Sequence, residues 1–499
     1  MKKFFFAICL LFNVCAFSQG QNIQNPLFAG DFPDPSILVD EGRYYMVHSS
    51  FEYYPGLTIW ASDDVEHWRP VQSPLKKYVG SVWAPDFVKY DGKYYIYFPA
   101  DTTNYVIWAD KIDGTWSEPI DLHIGGIDPG HVVDKKGRRY LYFSNGGYIQ
   151  LEKNGLKTVG EYKHVYDGWE IPRDWSIECF CMEGPKLTKH GDYYYLTVAE
   201  GGTAGPPTGH MVVSARSKSP LGPWENSPYN PILRAQSAKQ QWCSIGHATP
   251  FTDADGNWWM VFHGYEKEYY NMGRQTCVAP IEWTSDGWWK LPDGFSVEQP
   301  IEKSKTKKLT NGSFSLSDDF SGNSLRPNWR FWKEFDENRY SVADNCLTMD
   351  AKGNDIVSSY PLLATPQHHS YSVSVEMEIE GDAVGGLLLF YSSKAYSGIL
   401  ADSANVLSNL RGWQFVTENG VHTKRAFLKL ENRENVVDMF YSIDGETWFK
   451  TSNSFDIAGY HHNVLGEFLA VRIALVAMGD GKVKFRNFKY SPLEETKRK

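Results

Sequence analysis

Residues 33–47, PDPSILVDEGRYYMV, hold an acidic residue between two prolines, then a turn that contains glycine, then a strand rich in aromatic residues. The pattern occurs five times, beginning at the segments Pro33-Asp34-Pro35, Ala84-Pro85-Asp86, Asp128-Pro129-Gly130, Glu183-Gly184-Pro185 and Gly246-His247-Ala248. A glycine turn between two such strands is typical of a hairpin. Most units add a third strand and a turn with Trp, and their spacing of about 50 residues suits one four-stranded propeller blade. The repeat therefore predicts an all-β fold that begins with a five-bladed β-propeller.

The repeats stop near Pro300, and the chain then changes character. The segment 302–317 is polar and rich in lysine, which indicates a linker. From Asp318 onward, apolar and polar residues alternate between turn signals, as in residues 371–377, which predicts an antiparallel β-sandwich. We therefore expect a propeller over 22–301, a linker over 302–317 and a sandwich over 318–495.

The first 18 residues have the layout of a secretory signal peptide. Lys2 and Lys3 precede an apolar run from Phe4 to Phe17, which is shorter than the roughly 20 residues of a membrane helix. We therefore predict an exported protein, periplasmic or secreted, with no membrane span. A lipoprotein is the less favoured alternative because Val14 is a poor fit before Cys15.

Charge and cysteine content narrow the possible partners. The net charge of −10 is spread along the chain without a basic stripe, which argues against a nucleic acid partner. Of seven cysteines, two lie in the signal peptide, and the odd, sparse remainder is not a disulfide framework. Cys179 and Cys181 are expected to be buried thiols on one face of a strand.

The first strand of each propeller blade lines the central axis, so polar residues from the five repeats should converge there. The converging residues are predicted to be Asp34, Asp86, Asp128, Glu183 and His247. Clusters of carboxyl groups in a partly enclosed funnel are more often functional than structural. Asp86 is predicted to contact substrate, and a second interpretation has equal weight, namely that its carboxylate accepts backbone N–H bonds in a turn.

Hydrolysis of a glycosidic bond needs one carboxylic acid to protonate the leaving oxygen and one carboxylate to activate water or attack the sugar. Asp34 fits the second role because Pro33 and Pro35 restrict its backbone. Glu183 fits the first role, since nearby Met182 and Phe180 are expected to raise its pKa.

These residues resemble the motifs of glycoside hydrolase family 43. The resemblance rests on Asn25-Pro26, Phe32-Pro33-Asp34-Pro35-Ser36, Ile127-Asp128-Pro129 and Glu183-Gly184-Pro185-Lys186-Leu187. It implies a five-bladed propeller enzyme of the β-xylosidase, α-L-arabinofuranosidase or arabinanase type that acts with inversion. It also implies that Asp34 is the general base, Glu183 the general acid, and Asp128 the carboxylate that orients the acid and tunes its pKa.

Two further segments resemble the same family. Gly273-Arg274-Gln275 is similar to the segment whose arginine binds the innermost sugar. The alternative interpretation is that Arg274 forms an ion pair at the surface. Gly246-His247-Ala248 resembles the segment whose axial histidine joins the water shell of a calcium ion in some members. A buried, satisfied histidine is an equal alternative for His247. We therefore expect that no cofactor is required. A structural calcium ion bound in the propeller channel is an alternative that the sequence does not decide.

The second domain also resembles a known domain of this family. Asp318-Asp319-Phe320-Ser321, together with Trp329, resembles the start of the lectin-like, concanavalin-like jelly-roll domain that follows the propeller in many β-xylosidases of this family. It implies that the second domain is either a wall of the active site or an independent sugar binder.

Aromatic side chains are the remaining candidates for substrate contact, because aromatic faces stack on sugar rings. The candidates for this role are Trp83 and Phe51 first, then Tyr53, Tyr54, Trp169 and Trp175.

The sequence thus predicts an inverting, exo-acting glycosidase that releases xylose or arabinofuranose from plant cell-wall polysaccharide or its oligosaccharides. The alternatives are an endo-arabinanase, an enzyme acting on galactose or galactofuranose, a sugar-binding propeller without catalysis, and a structural surface protein. A complete set of Asp34, Asp128 and Glu183 favours the enzyme, because a binding protein has no need of two opposed carboxylates.

Overall fold

The computed structural model of the chain describes residues 22–302, 314–419 and 424–494. The predicted signal peptide and most of the predicted linker lie outside these residues. Nearly all regular structure is β, and the sheets divide into a propeller and a sandwich. Among the described residues, no helix is long or apolar enough to cross a membrane.

The predicted five-bladed propeller is confirmed, because five sheets of antiparallel strands follow one another along the chain. Blade 1 contains β1 (Ser36–Asp40), β2 (Arg43–Val47), β4 (Ile59–Ser62) and β5 (Arg69–Gln72), while the short β3 (Tyr53–Tyr54) leaves the blade. Blade 2 contains β6 (Asp86–Tyr90), β7 (Lys93–Ala100), β8 (Thr103–Ala109) and β9 (Ile120–Asp121). Blade 3 contains β10 (Gly130–Val133), β11 (Arg139–Tyr142), β12 (Gly147–Leu151) and β13 (Thr158–His164).

The last two blades are larger. Blade 4 contains β14 (Met182–His190), β15 (Tyr193–Glu200), β16 (Met211–Ser217) and β17 (Glu225–Asn226), with β18 (Leu233–Arg234) also paired to β16. Blade 5 contains β19 (Trp242–Thr252), β20 (Trp258–Glu266), β21 (Arg274–Trp283) and β22 (Trp289–Lys290), with a 3-10 turn at Tyr270–Met272. Isolated bridges join Ile23 to Ile301 and Phe28 to Thr276, so the start of the propeller pairs with its end.

The predicted sandwich follows. Its strands are β23 (Arg330–Trp332), β24 (Tyr340–Ala343), β25 (Cys346–Asp350), β26 (Leu362–Ala364), β27 (Tyr371–Ser392), β28 (Ala395–Ala401), β29 (Asn405–Leu410), β30 (Trp413–Asn419), β31 (Arg425–Arg433), β32 (Val436–Ser442), β33 (Phe449–Asp456) and β34 (Arg472–Pro492). A 3-10 turn spans Glu337–Arg339, and the short helix α1 spans His462–Leu465. The long strands β27 and β34 pair along most of their length, and alternate side chains such as Val373, Val375 and Met377 enter the core.

The two domains share a sheet. Tyr53 and Tyr54 of β3 pair with Trp332 and Phe331 of β23, so a strand from the propeller extends the sandwich sheet. Phe51 and Tyr53 are buried in the same apolar cluster as the sandwich core. The sandwich is therefore packed against blade 1 by both backbone hydrogen bonds and apolar contact.

The prediction for Cys179 and Cys181 is wrong. Both residues lie in the loop 165–181 before β14 rather than in a strand, and they form a disulfide bond with each other. Cys179 is exposed. The i, i+2 spacing that suggested one face of a strand instead closes a small loop around Phe180. The described cysteines that remain free are Cys243, Cys277 and Cys346, all buried.

Candidate active site

A cavity opens on the propeller axis, and four of the five residues predicted to converge surround it. Its lining comprises Asp34, Phe51, Trp83, Ala84, Ile127, Asp128, Glu183, Thr203, His247, Arg274 and Phe468. Asp34, Asp128 and His247 lie at equivalent points of blades 1, 3 and 5, with backbone φ of 56°, 58° and 55°. Left-handed backbone is rare for residues other than glycine and recurs at functional sites. The repeated turn therefore presents these three side chains to the axis in the same way.

Asp34 is buried and held by several donors. Nη1 of Arg274 lies 3.1 Å from Oδ1, and the hydroxyl of Ser49 donates to Oδ2 at 2.5 Å. Burial alone would raise the pKa of Asp34, but the Arg274 charge first, then His247, holds that pKa well below its usual value of 3.8. Asp34 is therefore a carboxylate over the ordinary pH range, as a general base must be.

Two histidines pack beside Asp34 as neutral rings. Burial lowers the pKa of His247 to about 4 and that of His263 to about 3. Nδ1 of His263 lies 3.1 Å from the backbone nitrogen of Asp34 and 3.1 Å from Oδ1 of the same residue. Because both rings are neutral, the permanent positive charge beside the Asp34 carboxylate is that of the Arg274 guanidinium.

These residues do not fit a directly coordinated calcium ion. Ligand atoms of Asp34, His247 and His263 lie within 4.8 Å of one another. Calcium prefers about six to eight oxygen ligands, whereas this group offers mainly nitrogen, and both Asp34 oxygens already accept hydrogen bonds. Nε2 of His247 is buried without a hydrogen-bond partner among the described residues, so it is placed to accept a hydrogen bond from water. The calcium expectation depends on that one atom and stays a prediction.

Asp128 and Glu183 are linked through the backbone. Oδ2 of Asp128 accepts the N–H of Gly184 at 2.9 Å and the hydroxyl of Ser144 at 3.1 Å. Burial first, and then the charge of Glu183, raise the pKa of Asp128 to about 8. Two buried carboxyl groups that repel one another titrate as a pair, and the upper pKa of this pair is raised.

Glu183 contacts a histidine that the sequence did not point to. Nδ1 of His210 lies 3.2 Å from the carbonyl oxygen of Ser244, which can only accept, so we assign the ring proton to Nδ1. Nε2 of His210 then faces Oε1 of Glu183 at 3.1 Å, and this contact needs a proton on one partner. Burial alone would raise the pKa of Glu183, and the contact with His210 lowers it to about 2.

The prediction that apolar neighbours raise the pKa of Glu183 is therefore wrong, because the contact with His210 lowers that pKa. Phe180, expected to form part of an apolar surrounding, is 77% exposed in the disulfide loop. The raised pKa belongs to the pair and comes from burial and carboxyl repulsion, with Asp128 as its upper member. Phe180 lies outside the lining of the cavity that contains Glu183.

Arg274 lies inside the cavity rather than in a surface ion pair. It is 5% exposed, and its guanidinium lies 5.2 Å from the ring of Phe468 and 5.9 Å from that of Phe51. Trp83 also lines the cavity, with its ring centroid 5.8 Å from that of Phe468. Phe468 belongs to the sandwich, so the second domain supplies one wall.

Other predicted residues lie elsewhere. Asp86, predicted to contact substrate, is buried away from the cavity lining, and its carboxylate accepts from Lys186 Nζ at 2.7 Å and from the N–H of His131 at 2.7 Å. The second interpretation, a structural carboxylate, describes it better. Tyr53 and Tyr54 are buried where the domains join. Trp169 and Trp175 pack on each other, with centroids 5.9 Å apart, in the loop before β14.

Sequence reasoning missed Thr203, His210, His263 and Phe468. Thr203 and His210 lie in the loop that connects β15 to β16, and His263 lies within β20, so no repeated segment marks them. Phe468 follows α1 and reaches the cavity only through the packing of two domains. The signal that did exist was His263 within the mostly apolar strand β20, since a buried histidine needs a polar partner.

Comparison with known families agrees with this geometry. Residues 23–289 match the family described as glycosyl hydrolases family 43. Residues 317–491 match the beta xylosidase C-terminal concanavalin A-like domain. The two matches correspond to the propeller and the sandwich, and the concanavalin-like character predicted for the second domain is confirmed.

Individual relatives have related names. A non-reducing end alpha-L-arabinofuranosidase of Bacteroides ovatus is 31% identical over 67% of this chain and 66% of its own length. A putative beta-xylosidase of Escherichia coli is 26% identical over 94% of this chain and 100% of its own. The crystal structure of xylan beta-1,4-xylosidase from Bacillus halodurans is 25% identical, covers 94% of this chain and 100% of its own, and superposes with a TM-score of 0.81.

Proposed function

We propose that this chain, which belongs to glycosyl hydrolases family 43, is an inverting, exo-acting enzyme that releases terminal xylose or arabinofuranose from plant polysaccharide or oligosaccharide. The family and the similarity to xylosidases and arabinofuranosidases make the chain a glycoside hydrolase. The sugar, the mode of attack and the stereochemistry are our proposal.

The observation that carries the proposal is a carboxylate and a carboxyl pair in one narrow cavity. Asp34 precedes the inner strand of blade 1, and Glu183 lies in the inner strand of blade 4. Phe468 of the sandwich and Trp83 of the propeller contact one another across the wall. A cavity closed by a second domain suits one terminal sugar better than the middle of a polymer, which favours exo over endo cleavage.

In the proposed mechanism, Asp34 accepts a proton from the attacking water while Glu183 protonates the leaving oxygen. Arg274 holds Asp34 ionised and offers its remaining N–H groups to sugar hydroxyls. Asp128 accepts the N–H of Gly184 and so fixes the backbone beside Glu183. Because the upper pKa of the carboxyl pair is raised, the pair keeps one proton at neutral pH, and we infer that Glu183 delivers it.

Side-by-side assays test the substrate. We expect turnover of an aryl β-xyloside, an aryl α-arabinofuranoside or both, with slower release from linear arabinan. Proton NMR of the first sugar released tests inversion, since an inverting enzyme keeps its carboxyl groups about 6.5–9.5 Å apart to admit water. An initial product with the anomeric configuration of the substrate would rule out inversion, and turnover of linear arabinan alone would favour the endo alternative.

We also propose that the protein is exported, and the support for this is the charged and apolar layout of residues 1–18. N-terminal sequencing of protein recovered from the periplasm or medium of an expressing bacterium should begin near Gln19. Recovery of full-length protein from the cytoplasm alone would contradict export.

A further inference from the structure

A second cavity lies at the other end of blade 2 from the proposed active site. It has a volume of about 570 Å³, within the range of about 300–1,000 Å³ that is common for small-molecule sites. Ala84 lines the active-site cavity, Tyr90 lines the second cavity, and the inner strand β6 lies between these two residues. Six residues of extended chain span about 20 Å. The two cavities share no lining residue, so the second one has no part in the mechanism above.

Aromatic rings form one side of this blade 2 cavity, whose lining includes Tyr90, Asp91, Tyr95, Trp108, Lys153 and Asn154. Tyr95 and Trp108 stand opposite each other in the pairing of β7 with β8, and Tyr90 ends the neighbouring β6. Tyr95 is buried, whereas Tyr90 and Trp108 are half-buried. All three rings are thus part of the apolar packing between blades 2 and 3 and also border the cavity. Such rings can stack on the apolar faces of sugar rings.

A buried guanidinium holds two of these rings in place. Arg139 is 1% exposed, and its guanidinium carbon lies 4.4 Å from the ring centre of Tyr90 and 4.3 Å from that of Tyr95. Its Nη2 donates to the hydroxyl of Tyr97 at 2.8 Å, and its Nε donates to Nε2 of His131 at 3.0 Å. Both rings are therefore fixed before a ligand arrives, which lowers the entropic cost of binding.

The same guanidinium fixes another part of the wall, the turn 152–156 of blade 3. Gly155 in this turn has a backbone φ of 77°, a conformation that favours glycine. A Cβ atom at this position would lie 2.4 Å from the guanidinium carbon of Arg139, so only glycine lets the turn close over it. The hydroxyl of Tyr97 donates to the carbonyl oxygen of Gly155 at 3.0 Å. The turn and the aromatic rings are therefore held at a fixed separation.

The rim of the cavity carries polar groups that are free to bind hydroxyl groups. Asp91, Lys153 and Asn154 are exposed. Oδ1 of Asn154 accepts the N–H of Leu156 at 3.0 Å, which leaves the amide nitrogen of Asn154 to donate elsewhere. Lys93 and Lys153 balance Asp91 and Glu152 in the lining. Equal numbers of positive and negative side chains give no general attraction to an ionic ligand and suit a neutral one.

We propose that the blade 2 cavity is a second carbohydrate-binding site, which anchors the enzyme to neutral plant polysaccharide and takes no part in hydrolysis. A neutral sugar chain has apolar ring faces bordered by hydroxyl groups. The ring faces stack on Tyr90 and Trp108, and the hydroxyl groups bind Asp91 and Asn154. The choice of polysaccharide rests on the proposed function, because the polymer that is bound is the one whose ends are hydrolysed.

The test separates polymer binding from turnover in the full-length enzyme. Native electrophoresis through gels that contain arabinoxylan or linear arabinan measures binding, and an aryl pentoside measures the active site alone. Trp108→Ala should raise the dissociation constant for the retarding polymer about three- to tenfold, since it removes a stacking ring. The kcat/KM value for the aryl pentoside should stay within about twofold of wild type. All variants have the same active site, so the difference in retardation reports on the cavity.

Asn154→Ala provides a second variant that leaves the apolar packing untouched. It should raise the same dissociation constant about two- to fivefold, through the loss of a hydrogen bond. Tyr229→Ala is the matched control, because Tyr229 is 37% exposed in the loop between β17 and β18 and lies outside the cavity lining. It should change neither retardation nor turnover. If Trp108→Ala lowers the thermal transition, Asn154→Ala decides alone.

The outcomes distinguish the site from the proposed function. Unchanged retardation in both variants, or equal losses of retardation and aryl pentoside turnover, would overturn the site while turnover by wild type upholds the proposed function. Retardation that depends on Trp108, in an enzyme without activity on any pentoside, would uphold the site and refute the proposed function. If light scattering showed a dimer that Trp108→Ala dissociates without changing retardation, the cavity would seat a second copy of the chain and the carbohydrate site would be overturned.

Discussion

Arg472 of the sandwich reaches into the propeller and places Nη2 at 2.7 Å from Oδ2 of Asp31, three residues before Asp34. Both side chains are buried. Oδ1 of Asp31 also accepts the backbone N–H of Arg274 at 3.3 Å. One carboxylate thus connects the second domain to the arginine that holds the proposed base. Burial raises the pKa of Asp31 by more than Arg472 lowers it, so the pair is maintained at a desolvation cost.

Breaking this pair should destabilise the protein far more than breaking an exposed one. Asp31→Asn leaves Arg472 buried without its counter-charge, a change that costs about 3–5 kcal/mol of unfolding free energy. Lys76→Ala is the matched control, because Lys76 forms an interdomain ion pair with Glu337 at 2.7 Å in which both side chains are more than 60% exposed. Such a pair contributes at most about 1 kcal/mol. Denaturant unfolding of both variants checks the difference, and equal shifts would contradict it.

The proposed roles of Asp34 and Glu183 predict that the loss of kcat in their variants depends differently on the leaving group of the substrate. Asp34→Asn should lower kcat by about 10²–10⁴-fold on every substrate, since the attacking water loses its base. Glu183→Gln should lower kcat by a similar factor on poor leaving groups and much less on acidic phenols, because these depart without protonation. Steady-state kinetics on a series of aryl glycosides gives the comparison. Equal losses of Glu183→Gln on good and poor leaving groups would argue against its role as acid.

The carboxyl pair predicts the pH dependence. An acid acts while protonated, so kcat/KM should fall as pH rises through the upper pKa of the pair, about 8 for Asp128 in the free enzyme. The base acts while ionised, and the pKa of Asp34 lies well below 3.8, so the acid limb should fall outside the usual assay range. Asp128→Asn removes the upper member and leaves Glu183, whose pKa the His210 contact lowers. The alkaline limb should therefore move to lower pH, and an unchanged limb in Asp128→Asn would contradict the coupling.

The propeller could be predicted because each blade repeats one local signal. The turn before Tyr44 and the segment around Asp34 have counterparts in every unit, so the number of blades and the residues at the axis follow from self-similarity. Arg274, Asp128 and Glu183 line the cavity as the family resemblance implied.

What could not be predicted depends on contacts between distant segments. Asp86 has the same position in its repeat as Asp34, yet Lys186, 100 residues later, takes up its carboxylate. Phe468 enters the site through the packing of the sandwich on the propeller, to which the β3 pairing and the Arg472–Asp31 pair both contribute. The Glu183 pKa depends on His210 and on Asp128 rather than on adjacent residues, since electrostatic interaction follows distance in space.

Metal removal should leave catalysis intact. The proposed acid, base and arginine act without a metal, and both oxygens of Asp34 already accept hydrogen bonds from Ser49 and Arg274. After dialysis against EGTA, kcat/KM should therefore stay within about twofold of its starting value. Elemental analysis of the protein before and after dialysis reports whether a calcium ion was bound through water near His247. A loss of activity that added calcium restores would show that the ion is required.

The last prediction concerns the sandwich as a wall of the active site. If the second domain only tethered the enzyme to polymer, a propeller ending before Lys303 would keep its activity on small aryl glycosides. We expect that fragment to lose activity and solubility, because it exposes Phe51 and Tyr53 and removes both Arg472 and Phe468. Phe468→Ala in the full chain isolates the wall itself. It should raise KM about three- to tenfold through lost ring contact and leave the thermal transition close to that of wild type.

Val464→Ala is the matched control for Phe468→Ala, since Val464 lies in the neighbouring α1 and is 62% exposed. It should change neither KM nor stability. The combination distinguishes two ways in which the sandwich could matter. A loss of activity in the fragment without any effect of Phe468→Ala would mean that the sandwich stabilises the propeller but does not shape the sugar site. A soluble, monodisperse fragment with unchanged kinetics would contradict both roles and make the sandwich an independent carbohydrate-binding module.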